Sequence, residues 1–246
     1  MAWQTPKTNW LSADGVRDTD MNRIEGNALH LYNEAMVRAE LTIYVSTTGN
    51  DNTGDGTASR PYATVTKALN SIPKNLNGNV VEINIGAGTY SENAVIRGFN
   101  GVLQLYASGV VTIQSVVVEG CRIYQYGTQV SFPGGLTVDH GASWVGQSTL
   151  YSSGASLSGV IVKNGSTFVQ YNTVTISNKT SAAVDVSSGG RLYASTIAGS
   201  GNSIGMRADS GGTLCYGSAS IAATTQRFTN TGGRIYSGAQ TSVPNY

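Results

Sequence analysis

Five copies of one short pattern recur along the second half of the chain, and this repeat limits the possible folds more than any other feature. Each copy places a glycine three residues before a large apolar residue, and the glycines follow one another at intervals of 24, 24, 22 and 21 residues. These glycines are Gly141, Gly165, Gly189, Gly211 and Gly232. A unit this short cannot bury an apolar face alone, so the repeat predicts a stack of similar coils.

Two further sets of apolar residues keep the register of this repeat. They are Leu136, Val160, Val184 and Met206, and Leu150, Val174, Ile197 and Ile221. Each repeat therefore contains short alternating segments between glycine-containing corners, which is typical of strands and turns. We predict an all-β protein in which residues 41–246 form a right-handed, single-stranded parallel β-helix of about eight rungs, stacked about 4.8 Å apart.

A helical spacing precedes the repeats. Val65, Ala68, Leu69 and Ile72 recur at intervals of three, one and three residues, and Pro73 follows directly. This pattern predicts a helix near residues 62–72. We expect that helix to cap the open end of the β-helix, because an uncovered first rung would expose unpaired strand edge.

Residues 1–40 differ in pattern from the rest of the chain and are predicted to contain a short coiled-coil helix, with Asp18 or Thr19 as its N-cap. Its apolar residues follow at spacings of three, four, three and four: Met21, Ile24, Ala28, Leu31 and Ala35. Such a heptad pattern is typical of helices that associate with copies of themselves. The alternative is that this apolar face packs on the chain's own β-helix.

The composition narrows the classes of partner. Charged residues make up 12% of the chain, and 15 basic and 14 acidic residues leave a formal net charge of +1. This balance does not favour nucleic acid as a partner. We predict no membrane insertion, no signal peptide and no cofactor, and synthesis in a bacterial cytoplasm.

Two regions resemble known proteins. The segments IYVSTTGND (residues 43–51) and INIGAGTYSE (residues 83–92) resemble the start of pectin-lyase-like β-helices. The segments WQTPKTNW (residues 3–10) and DMNRIEGN (residues 20–27) resemble the N-terminus of tail fibre or receptor-binding proteins of phages and prophages of Gram-positive hosts. The second resemblance implies a virion tail component, a homotrimer that binds phage tail or baseplate proteins through its N-terminus and presents its β-helix to the bacterial surface.

Few acidic residues are available for catalysis. The regular coils contain Glu119, Asp139, Asp185 and Asp209. Glu119 with Asp139, and His140 as a base, is the best candidate for glycoside hydrolysis, which requires two carboxyl groups about 5–9 Å apart. We predict solvated corner residues instead, and no enzyme activity. The segment from Asn50 to Asp55 suggests a calcium loop, but Asn, Asp and Gly also build turns without metal.

Tyrosines offer a binding surface. Five are expected on the outside of the coils, among Ser, Thr and Asn: Tyr151, Tyr171, Tyr193, Tyr216 and Tyr236. Aromatic rings beside hydroxyls suit sugar rings, so we predict contact with a bacterial surface glycan. The same strip suits a subunit interface. The alternatives to a receptor-binding fibre are a depolymerase that cleaves a surface polysaccharide, with its active site between subunits, and a purely structural spacer.

Overall fold

The structure is a computed structural model that describes residues 3–9, 11, 14–37 and 39–237, without the side chains of residues 33 and 34. The helices are α1 (Asp18–Glu34) and α2 (Val65–Ser71). The strands are β1 (Leu41–Val45), β2 (Val81–Ile85), β3 (Gly88–Arg97), β4 (Val102–Glu119), β5 (Arg122–Ser131), β6 (Leu136–Asp139), β7 (Ser143–Gly146), β8 (Thr149–Ser153), β9 (Val160–Val162), β10 (Thr167–Ser177), β11 (Ala182–Val186), β12 (Arg191–Ala208), β13 (Thr213–Thr229) and β14 (Arg234–Ser237). All pairings between these strands are parallel.

The predicted all-β, right-handed parallel β-helix is confirmed. It has about seven complete turns, and β1 and β14 add one further strand of face A at each end. Each turn passes through three faces. Face A contains β1, β2, β7, β14 and the first segments of β4, β5, β10, β12 and β13. Face B contains the start of β3, the middle of β4, the end of β5, β8, the end of β10 and the middle segments of β12 and β13. Face C contains the ends of β3, β4, β12 and β13 with β6, β9 and β11. Strands such as β4 and β12 are long because they bend from one face onto the next.

The core is a set of ladders inside the coils. Trp144 is fully buried, stacks on Phe168 with ring centroids 6.5 Å apart, and meets Phe132 edge-on at 6.0 Å. Polar side chains share this interior: Gln125, Ser148 and Gln170 hydrogen-bond to one another or to backbone carbonyls. The pairing of Phe168 with Trp144 on one side and with Leu192 on the other confirms the register of the repeat.

The repeated glycine lies at the corner between faces C and A. Gly141 has φ +72° and follows His140 with φ +56°, so two successive residues are left-handed. A Cβ built on Gly141 would meet nothing within 4 Å. The backbone dihedral, and not lack of space, therefore explains why glycine recurs at this corner.

A helix, α2, lies at Val65–Ser71 within the predicted range 62–72, and it packs against β1, β2 and β3. Two carboxylates hold its N-terminus. Asp51 accepts hydrogen bonds from the backbone N–H groups of residues 63 and 64, at 2.7 and 3.1 Å. Glu92 accepts bonds from the N–H groups of Val65 and Thr66, at 2.7 and 2.9 Å. Glu92 is the last residue of the INIGAGTYSE segment, so in this chain part of that motif ties α2 to the first coil.

Replacement of Glu92 by Ala is expected to lower the free energy of unfolding by about 1–3 kcal/mol, because it leaves two N–H groups of the first turn of α2 without their acceptor. Denaturant unfolding followed by circular dichroism measures the change. Glu25→Ala, which removes an exposed carboxylate from α1, is the control and should cost less than about 0.5 kcal/mol. Equal effects of the two substitutions would contradict this role of Glu92.

Helix α1 begins one or two residues earlier than expected. Arg17 is the N-cap in place of Asp18 or Thr19, and its N–H donates to Asp20 Oδ2 at 3.3 Å. The leader lies against this helix, since Gln4 and Asn27 exchange two hydrogen bonds of 2.8 Å. Neither helix among the described residues is long and apolar enough to cross a membrane.

The predicted heptad residues are exposed on this chain. Met21, Ile24 and Leu31 have 47%, 51% and 57% of their surface accessible, and Ala28 is also exposed. Ala35 is exposed as well and lies just after the helix, at its C-cap. The apolar face of α1 therefore does not pack on the chain's own β-helix, which was the alternative to oligomerisation.

Candidate functional site

The outer surface of face A concentrates aromatic side chains, and we call it the tyrosine face. Side chains alternate in and out along a strand, so outward positions of successive rungs form columns. One column runs through Tyr44, Asn84, Tyr106 and Tyr126. A second runs through Thr42, Glu82, Gln104, Tyr124, Val145, Val169, Tyr193, Cys215 and Tyr236. The tyrosine face thus extends over nine strands, about 38 Å at the usual strand spacing.

The tyrosines at the centre of this face contact one another. The rings of Tyr106 and Tyr126 have centroids 5.0 Å apart, and those of Tyr124 and Tyr126 are 6.2 Å apart. All three are half-buried, so part of each ring is accessible from outside. Such tilted pairs hold each other in place, which gives a fixed aromatic surface at low entropic cost.

Polar groups fix these rings further. The Tyr126 hydroxyl donates to the Glu82 carboxylate and lies 3.3 Å from Gln104 Oε1, and the Gln147 amide donates to the Tyr124 hydroxyl. Burial, together with the Glu82 carboxylate, raises the pKa of Tyr126 to about 12. Tyr126 therefore stays protonated at neutral pH and acts as a hydrogen-bond donor, not as a base.

A third column on face A contains positively charged side chains. It runs through Val102, Arg122, Ser143, Thr167, Arg191, Thr213 and Arg234. The three arginines are exposed, and none takes part in an ion pair between described residues. Glu82 is the single carboxylate among the described residues of the three columns, and it accepts from Tyr126.

The predicted tyrosines divide among three places. Tyr193 and the exposed Tyr236 lie on the tyrosine face, and the exposed Tyr171 directly follows Gln170 at its edge. Tyr151 lies on face B, where it is half-buried in a column with Ser131 and Thr175.

The expected exposure of Tyr216 is wrong. Its side chain is 4% exposed, because Leu214 points inward and the residue two positions later on the strand must do so too. The outward residue between them, Cys215, is itself buried, as is Val169 in the same column. Sequence reasoning missed four tyrosines of this face: Tyr44, Tyr106, Tyr124 and Tyr126. Two sequence signals could have identified some of them. Leu103 and Leu105 mark inward positions, which places the next residue, Tyr106, outward, and Tyr124 directly follows Ile123, which also points inward.

A groove of about 450 Å³ adjoins the first rungs of the tyrosine face. Its walls include Tyr44, Asn84 and Ser108 on one side and Ser59 and Pro61 of the loop before α2 on the other. These groups offer hydroxyls, an amide and one aromatic ring. The groove therefore extends the polar and aromatic character of the face to the N-terminal end of the β-helix.

The residues considered for catalysis lie at the corner between faces C and A. Glu119 and Asp139 are neighbours in register on successive strands. Asp139 is 5% exposed; it accepts from the Asn164 amide at 2.7 Å and from the His140 N–H at 2.7 Å, and Lys163 Nζ lies 3.1 Å away. Burial raises the pKa of Asp139, but these hydrogen bonds outweigh it and hold the pKa below its usual value. A carboxylate held ionised in this way is poorly suited to protonate a leaving group.

Asn50 and Asp55, which begin and end the segment that suggested a calcium loop, have partners for their side-chain oxygens within the chain. Asn50 Oδ1 accepts from the N–H groups of Asn52 and Thr53, and Asp55 accepts from Thr57 and pairs with Arg60 at 3.2 Å. Among the described residues no cluster of three or more His, Cys, Asp or Glu could hold a metal ion. The observed contacts are those of Asx turns.

Comparisons of the chain with protein-family models, with curated proteins and with solved structures found no match. The chemistry of the tyrosine face follows from its own residues. Half-exposed rings offer flat apolar surfaces, while phenol, amide and guanidinium groups beside them donate hydrogen bonds. These are the two kinds of contact that a polyhydroxylated ring can make.

Proposed function

We propose that this protein is a non-enzymatic attachment protein of a phage tail, which binds a glycan of the bacterial surface through its tyrosine face. The observation that carries the glycan part of the proposal is the row of tyrosines along one face of the β-helix. Sugar rings have apolar faces and hydroxylated edges, so they match aromatic rings that are surrounded by hydroxyls and amides. The leader's resemblance to tail fibre and receptor-binding proteins supports the phage part, and with it a place in the virion.

The exposed heptad face of α1 supports assembly into a homotrimer. The side chains of Met21, Ile24 and Leu31 form an apolar stripe that remains in contact with water unless a second helix covers it. Three parallel copies would carry three tyrosine faces. Because several weak contacts made by one particle add up to strong attachment, no single high-affinity site is needed.

The depolymerase remains the second candidate because Glu119 and Asp139 are neighbours in register at the corner between faces C and A. The partners of Asp139 count against it, since Asn164 and Lys163 already occupy its oxygens. A hydrolase would release reducing ends from its polysaccharide, and a lyase would release unsaturated products. An attachment protein binds without either product.

Tyr106→Ala combined with Tyr124→Ala is expected to weaken binding to Gram-positive cells and their purified wall glycans at least tenfold, about 1.4 kcal/mol, because it removes two adjoining rings of the tyrosine face. Binding and product release are measured in the same tubes. Tyr151→Ala on face B is the matched control and should bind like the unchanged protein, and light scattering checks that the variants keep its mass.

Three outcomes would contradict parts of this proposal. Product release by the unchanged protein would favour the depolymerase. If the double variant and Tyr151→Ala lose the same amount of binding affinity, the tyrosine face is not the glycan-binding site. An unchanged protein that binds no cells of a broad Gram-positive panel would favour the structural spacer.

A further inference from the structure

The tyrosine face has a charge that its proposed role does not by itself require. Arg122, Arg191 and Arg234 stand in one column beside the tyrosines, exposed and without an ion pair among the described residues. A guanidinium group on a solvated surface commonly finds a carboxylate of its own chain. Here the nearest column offers only Glu82, whose carboxylate accepts from Tyr126. The columns of the tyrosine face therefore carry more positive than negative charge, with three arginines and one carboxylate, while Glu119, Asp139 and Asp209 lie outside these columns at the corner between faces C and A.

From this charge we infer that the glycan is a linear anionic polysaccharide that lies parallel to the axis of the β-helix. The inference rests on the proposed function and specifies the class of its ligand. The tyrosines supply stacking surfaces for the sugar rings, and the arginine column, which runs beside them, supplies charge-assisted hydrogen bonds to acidic groups. A neutral glycan would leave the arginines without a role, and an anion without sugar rings would leave the tyrosines without one.

The spacing of the arginines limits the polymer further. Arg122 and Arg191 are three rungs apart and Arg191 and Arg234 are two rungs apart, or about 14 and 10 Å. Successive rungs of the β-helix are about 4.8 Å apart along its axis. Successive pyranose units in an extended polysaccharide chain have a similar spacing. An acidic group on every second or third sugar would therefore meet an arginine, whereas a polymer that is charged on every sugar gains little from its additional groups.

Carboxylate and phosphate groups are both acceptors that a guanidinium binds in bidentate fashion. The ligand chemistry that they share is an oxyanion carried on a sugar chain.

Four probes separate the contribution of the sugar chain from that of the acidic group. Hyaluronan has sugars and carboxylates, phosphorylated dextran has sugars and phosphates, dextran has sugars alone, and inorganic polyphosphate has charge alone. We expect binding to at least one of the first two, and binding at least tenfold weaker to dextran and to polyphosphate.

Charge-removing variants of the full-length protein test the assignment. Arg122→Gln combined with Arg191→Gln is expected to weaken binding to the anionic polysaccharide at least tenfold and to leave binding to dextran unchanged. It should also reduce the loss of affinity that salt causes between about 50 and 500 mM NaCl. The matched control is Arg97→Gln, which removes an exposed positive charge from the end of β3 on face C. That variant should bind like the unchanged protein.

The outcomes distinguish this inference from the proposed function. One outcome would overturn the inference and keep the attachment role. The unchanged protein would bind dextran and the anionic polysaccharides with equal affinity, and this binding would be lost in the double tyrosine variant but not in the double arginine variant. Binding to polyphosphate as tight as to the sugars would overturn it as non-specific charge attraction. Failure to bind any probe, with a change of oligomer mass in the double arginine variant, would show that the tyrosine face is a subunit interface and overturn both.

Discussion

Replacement of Trp144 by Ala is expected to lower the free energy of unfolding by about 3–5 kcal/mol. Trp144 is fully buried and lies between Phe132 and Phe168, which belong to the rungs before and after it. Its indole N–H lies 3.4 Å from Gln170 Oε1. The substitution therefore leaves a cavity between three rungs and removes the donor for a fully buried amide oxygen.

The effect should be large because of the architecture. In a solenoid each coil contacts only its neighbours, so a gap at one rung weakens the interfaces on both sides of it. Equilibrium unfolding in urea, followed by far-ultraviolet circular dichroism, measures the change. Val145→Ala is the control on the same strand, since Val145 points outward, and it should cost about 1 kcal/mol or less. A similar cost for both substitutions would show that the aromatic stack contributes little.

The second large effect concerns Lys179, which is 1% exposed. Its ammonium group donates to the carbonyl oxygens of Pro133 and Gly154, at 2.9 and 3.1 Å, and to the Ser156 hydroxyl at 2.9 Å. These partners come from earlier turns of the β-helix, so this side chain connects successive coils at the corner between faces B and C. Burial nevertheless lowers the pKa of Lys179 to about 8.

Stability should rise with pH between about 8 and 10.5 because of this lysine. In the unfolded chain its pKa returns towards the ordinary lysine value of 10.5, so within this window the unfolded state binds a proton that the folded state has released. The free energy of unfolding then increases with pH, by as much as about 3 kcal/mol across the window. Below pH 8 both states are protonated, and the folded state bears the full cost of the buried charge.

Denaturant unfolding at a series of pH values, for the unchanged protein and for Lys179→Met, tests this dependence. The difference in stability between the two should change by about 2–3 kcal/mol in favour of the unchanged protein as the pH rises from 8 to 10.5. Lys179→Gln keeps a neutral donor and should lack the pH dependence in the same way as Lys179→Met. A constant difference across the window would show that the lysine is not desolvated in the folded state.

The fold could be predicted from the sequence because its constraint is local and repeated. The left-handed dihedral at positions such as Gly141 favours glycine strongly, and the large apolar residue three positions later lies on a strand whose inward face is buried. Each repeat therefore indicates both its corner and its ladder. The first coils lack the regular interval, so the sequence indicated them less directly.

The candidate site could be predicted only in part. Tyr193 and Tyr236 directly follow ladder residues, so alternation along one strand placed them outside. Tyr216 follows its ladder residue by two positions, and the same alternation buries it. Whether an outward tyrosine belongs to face A or to face B depends on where the chain turns, which separates Tyr151 from the others.

The sequence by itself determined the parallel β-helix and the helix before its first complete turn, because dihedral preference and apolar alternation act within a few residues along the chain. Only the tertiary structure decided which side chains become neighbours. Tyr44, Tyr106 and Tyr126 are far apart in sequence, and they form one column because the number of residues in each turn sets the register between strands. The arginine column beside them arises in the same way, since stacking brings residues about 20–70 positions apart onto one face.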